Sequence, residues 1–90
     1  MIKEMVMRII QEQELIIGSV AWTEAAKIEG LQVDVRNKAV TIETETKQVI
    51  EHLVEQYARL FGEASLEVCR DAVRPLLPDL AEGDVPDILR

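Results

Sequence analysis

One stretch constrains the fold of this chain more than any other: residues 46–62, TKQVIEHLVEQYARLFG. Val49, Ile50, Leu53, Val54, Tyr57, Leu60 and Phe61 fall at i, i+1, i+4, i+5, i+8, i+11 and i+12. That spacing sets apolar side chains along one side of a helix. So continuous a stripe must be covered, and the other elements are expected to pack around it. Thr46 is placed to cap the helix through its hydroxyl, and Gly62 to end it in a left-handed conformation. Leu53 and Val54 are expected to be nearly fully buried, and Tyr57 to be buried except for its hydroxyl.

Two short segments precede this helix, Leu31-Gln32-Val33-Asp34-Val35 and Val40-Thr41-Ile42-Glu43-Thr44. Both alternate apolar and polar, the mark of half-buried strands. With Asn37-Lys38 as a two-residue turn, Val35 faces Val40, Val33 faces Ile42 and Leu31 faces Thr44, which keeps the apolar residues on one face. Lys38 is a poorer turn residue than glycine, so a longer loop is the alternative. A lone hairpin is marginal in water and needs cover, which the helix that follows is nearest to supply.

Residues 1–29 are rich in helix formers, no proline occurs before Pro75, and Gly30 ends the segment. The polar band from Gln11 to Glu14 is where a helix this long would bend or break; residues 15–22 have a strand as their alternative. Gly18 costs a helix about 1 kcal/mol relative to alanine. It is expected to permit close approach of another backbone, since Ala21 and Ala25 continue a small-residue face. At about 100° per residue, Ile2, Met5, Val6, Ile9, Ile16 and Val20 share one face, while Ile17, Ala21, Ala25 and Ile28 share a second, turned by roughly 100°. The stripe therefore changes side between Glu14 and Gly18. In one arrangement the later half lies on the hairpin and the 46–62 helix, and the earlier half pairs with its counterpart in a second subunit. In the other, a bent helix folds back on its own domain. The first is the expectation adopted, and it makes Ile2, Met5, Val6, Ile9 and Ile16 a homodimer interface.

After Gly62, residues 64–74 read as a third helix with Ser65, Val68, Cys69, Ala72, Val73 and Leu76 turned inward. Pro75 ends or kinks it. Residues 79–90 carry Asp79, Glu82, Asp84 and Asp87 against Arg90. They read as a loosely held acidic tail, dispensable for folding; alternatively Leu80, Val85, Ile88 and Leu89 dock it on the body or mark a linker. The expected architecture is a single small α+β domain over residues 1–78, of order α-β-β-α-α, with residues 79–90 as its tail. That order resembles small accessory domains attached to prokaryotic sensors and regulators, a likeness of architecture that fixes no function.

A chain of 90 residues buries roughly 60–65% of its unfolded surface. With 48% apolar residues it has more apolar surface than so small a body needs, and such a surplus goes to a partner. The net charge of −7 opposes binding to nucleic acid or to anionic membranes. One cysteine, Cys69, excludes an internal disulfide and fits a reducing compartment. Residues 1–17 lack the cationic start and unbroken apolar core of a signal peptide, and no apolar run approaches the roughly 20 residues of a membrane span. A cytoplasmic protein is expected.

Chemistry-bearing residues are sparse. His52, the single histidine, sits one position off the apolar stripe and reads as a boundary residue. Cys69 reads as a small buried hydrophobe with no base placed beside it. One His and one Cys do not make a zinc site, and the tail acids lack the twelve-residue calcium pattern. The four glycines are isolated and form no phosphate loop. Trp22 reads as a core anchor, and Glu55 with Arg59 as a surface helix pair. The expected function is a non-catalytic protein–protein interaction or dimerisation module of regulatory or assembly type, without cofactor or metal. The alternative is a small-molecule or heme-type sensor, with an apolar pocket between hairpin and helices and His52 or Cys69 as axial ligand.

Overall fold

The computed structural model describes residues 2–43 and 47–90, the Glu82 side chain excepted. The Thr46 cap and the pairing of Leu31 with Thr44 lie outside these residues. The elements run α1 (Ile2–Ile17), α2 (Val20–Ala25), β1 (Leu31–Asp34), β2 (Ala39–Ile42), α3 (Lys47–Phe61) and α4 (Glu63–Val73), then short 3₁₀ turns at Arg74–Asp79, Glu82–Asp84 and Asp87–Leu89. The domain is α+β, as the alternating and helical periods imply, with the first helix divided in two.

Helix α3 is central. Val49, Ile50, Leu53, Val54 and Tyr57 are buried, each on the stripe that the sequence marks. Leu60 and Phe61 continue that stripe but stand partly in solvent. The Tyr57 hydroxyl is not left outside as expected: it donates to the Ala21 carbonyl at 2.6 Å. The α2 carbonyl needs a donor in the dry interior, and the phenol reaches it. Burial raises the Tyr57 pKa far above the usual phenol value.

The first helix breaks at Gly18, not at the polar band from Gln11 to Glu14, through which α1 runs unbroken. Gly18 has φ +75°, which a side chain would strain. A Cβ there would meet nothing within 4 Å. Backbone conformation, not close approach, is what requires glycine. The break resolves the change of stripe: α2 turns Ala21, Trp22 and Ala25 onto α3 and β1, as expected. Helix α1, however, packs on α4 and α3 of its own chain. Ile2, Met5, Val6 and Ile9 are core residues, so four of the five positions expected to meet a second subunit already have intramolecular cover. The broken helix folded back on its own body is the arrangement found.

The hairpin register is Leu31↔Ile42, Gln32↔Thr41, Val33↔Val40 and Asp34↔Ala39, two residues from the pairing expected with Asn37-Lys38 as the turn. The longer loop, residues 35–38, is the one realised. Asp34 decides it: its carboxylate accepts from the Asn37 backbone N–H at 3.0 Å and from Asn37 Nδ2 at 2.7 Å. Such an Asx turn closes a wider loop than a two-residue hairpin, and these bonds hold Asp34 below the usual carboxylate range. A slip of two preserves the faces, so Leu31 and Val40 are still buried and Val33 and Ile42 half-buried. Lys38 takes a positive φ of 54°, and its Nζ lies 2.6 Å from Glu14 Oε2 on α1. Where the hairpin begins, a Cβ on Gly30 would come within 3.0 Å of Val49 Cγ2, so glycine lets the strand start hard against α3.

Residues 79–90 are not a loose tail. Val85, Pro86 and Leu89 are buried, Ile88 is half-buried, and Val85 and Leu89 belong to the same core cluster as α1 and α3. Arg70 Nε donates to the Ile88 carbonyl at 3.1 Å. The body therefore extends beyond residue 78, and docking is the alternative that holds. The α-helix ends at Val73, just before Pro75 as expected, and the chain continues as a 3₁₀ segment.

Candidate functional site

Helices α1 and α4 run antiparallel, since Gln13 meets Ser65 while Arg8 Nε reaches the Ala72 carbonyl at 2.9 Å. Between them lies a buried polar cluster that sequence reading missed. Gln13 Nε2 donates to the Ser65 carbonyl at 2.8 Å and to Cys69 Sγ at 3.3 Å, and Ser65 Oγ donates to Gln13 Oε1 at 2.8 Å. Each amide group of Gln13 thus has a partner in a dry environment, where an unmade bond would cost about 1–3 kcal/mol. Nothing in periodicity separates Gln13 from the solvated glutamines and glutamates around it. The available signal is geometric: Gln13 falls on the same side of α1 as Ile2, Val6 and Ile9.

Cys69 is wholly buried. Desolvation pushes its thiol up to about 11, against a smaller downward pull from Gln13. Such a thiol is no nucleophile at neutral pH. Labelling by a thiol reagent is expected to be slow in the native protein and fast in denaturant; fast native labelling would overturn the buried-hydrophobe assignment. Because the folded pKa is raised, this group favours the fold below the unfolded thiol value of about 8.5. That contribution is lost as pH rises toward 11.

Directly over this cluster is an uncovered recess. Ile16, Ile17, Phe61, Ala64, Ser65 and Val68 line a groove of about 250 Å³, apolar except for Ser65. The groove sits where α1 meets α2 and α3 meets α4, and the junctions bring further apolar residues to the same end. Leu15 is 79% exposed, Ile16 65%, Val20 44%, Leu60 44% and Phe61 39%. Only Val35, in the hairpin loop, is a large exposed apolar residue elsewhere among the described residues. Single exposed apolar side chains are ordinary, whereas a cluster around a recess marks an interaction surface.

Of the interface residues named from sequence, Ile16 alone is on this surface. Ile2, Met5, Val6 and Ile9 are not, because α4 covers them. Leu60 and Phe61 continue the core stripe of α3, yet they stand partly exposed at its last turn, where the chain passes into α4. His52 is exposed on α3 while Cys69 is enclosed, so the structure does not bring the two together as a site. The expected Glu55–Arg59 pair does not form; Arg59 Nη2 donates instead to Gln56 Oε1 at 2.6 Å.

The charged groups near the core are structural. Lys27 and then Gln56 hold Glu24 below the usual carboxylate range, through bonds of 2.9 and 2.8 Å. Lys38 chiefly does the same for Glu14, with a lesser pull from the Trp22 indole. That indole N–H, although buried, has no partner in hydrogen-bonding geometry. Among the described residues no three His, Cys, Asp or Glu side chains are grouped to hold a metal. No helix among them is long and apolar enough to cross a membrane.

Fold and surface together define a small α+β domain, its helices joined by a buried amide cluster and one end left apolar and open. No family model matches the chain, and no curated protein or solved structure gives a match.

Proposed function

We propose that this domain is a non-catalytic protein–protein interaction module that binds through the apolar end formed by Leu15, Ile16, Val20, Leu60 and Phe61. One observation carries the reading: Ile16 and Phe61, exposed at two helix junctions, line one groove, and Leu15, Val20 and Leu60 stand exposed at the same junctions. The uncovered surface lies on a rigid support, since Ser65 in the groove is tied to Gln13 beneath it, and Gln13 in turn to Cys69. A photo-crosslinking residue replacing Ile16, in cells that express the protein, is expected to give a discrete adduct. The same residue replacing exposed His52 should give none. Phe61→Glu should abolish the adduct without moving the thermal midpoint by more than a degree or two. Equal adducts from both positions, or none from Ile16, would overturn the proposal. The adduct mass tells a second copy of this chain from a different protein.

A further inference from the structure

The recess holds little, and acidic side chains left over from ion pairing stand near it. A volume of about 250 Å³ takes one or two side chains, the scale of a helix anchored in a groove and not of a face with 20–30 residues a side. Glu12 lies one turn before Ile16 on α1, and Glu63, Glu67 and Asp71 lie along α4 beside Ala64 and Val68. Glu67 is paired with Arg70 and Asp71 with Arg74, whereas among the described residues no ion pair is formed by Glu12 or Glu63, which flank the open end. Lys38 is taken up by Glu14 on α1, and Arg59 projects roughly 160° around α3 from Phe61. A second copy would bring the same acids, and a further −7, against this rim, and like charges face to face oppose pairing.

We propose that the occupant is a short amphipathic helix of another protein, with apolar side chains seated over Ser65 and Lys or Arg side chains set beside them to meet Glu12 and Glu63. This rests on the interaction reading above and gives its partner a chemistry. The probe is a labelled sixteen-residue peptide with leucines at helical i, i+4 and i+7 spacing and flanking lysines. A twin carries glutamates in place of the lysines. Anisotropy measures binding to the full chain, and amide shifts map it.

The lysine peptide is expected to bind at least about tenfold tighter than its twin, to weaken as salt is raised, and to shift the amides around Ile16, Phe61 and Val68. Ile16→Ser should remove binding, which non-specific attraction to an acidic protein would not do. Glu12→Gln with Glu63→Gln should weaken the lysine peptide by about fivefold and leave circular dichroism unchanged; the single variants serve if the pair perturbs folding. Equal binding of both peptides, shifts that map elsewhere, or no binding by either would overturn the inference. If neither peptide binds while Ile16 still cross-links in cells, the partner chemistry falls and the interaction face stands. If the cross-link is absent as well, both fall.

Discussion

Leu53→Ala is expected to destabilise the domain by about 2–5 kcal/mol, the range for a leucine truncated in a packed core. Leu53 is wholly buried at the middle of α3, between Ile50 and Tyr57. The informative companion is Leu60→Ala. In the sequence the two leucines belong to one stripe; in the structure Leu60 lies beyond the cover of α4. Its truncation should cost no more than about 0.5 kcal/mol, as surface changes do. Denaturant unfolding of both variants checks the pair. A loss below about 0.5 kcal/mol for Leu53→Ala would make α3 peripheral, and equal losses would mean that the α3–α4 junction is covered.

Removing residues 85–90 is expected to be at least as damaging. The truncation takes away Val85, Pro86 and Leu89, all buried, and leaves Arg70 Nε without the Ile88 carbonyl. At about 1.5–3 kcal/mol for each fully buried aliphatic side chain, Val85 and Leu89 alone account for about 3–6 kcal/mol. Domains of this kind have only about 5–15 kcal/mol in all, so the melting temperature should fall steeply. Leu89→Ala is the gentler version, with a loss of about 2 kcal/mol. A truncated protein that melts within a degree or two of the whole chain would show residues 85–90 to be the dispensable tail that their acidic composition suggests.

What the sequence reveals, and what it hides, follows from what each pattern encodes. The stripe from Val49 to Tyr57 is unambiguous because a 3.6-residue period has one structural solution. The strands Leu31–Asp34 and Ala39–Ile42 are equally plain, but their register is not. A two-residue slip keeps every side chain on its face, and the choice falls to the Asp34 carboxylate. Periodicity on α1 shows that Met5 and Ile9 are buried without showing against what; α4 stands more than fifty positions further along the chain. Gly18 is visible as a weak point, yet its positive φ is a backbone property that composition does not express. Gln13 is the hardest case, a polar residue in a polar run whose burial depends on Ser65 and Cys69 arriving from elsewhere. The open groove follows from the same dependence: Phe61 continues a core stripe and Ile16 a dimer face until the path of α4 is known.

That dependence also sets the order in which the molecule can become itself. The bond from Arg8 to the Ala72 carbonyl joins residues 64 apart, and α1 has its main cover in α4. At a synthesis rate of about 5–20 residues per second, Ile2, Met5, Val6 and Ile9 wait about 3–13 s for that cover. Throughout that time the nascent chain shows a complete sticky helix face that the finished protein conceals. Closing so long a loop late also makes folding slower than for helical proteins whose neighbours in space are neighbours in sequence.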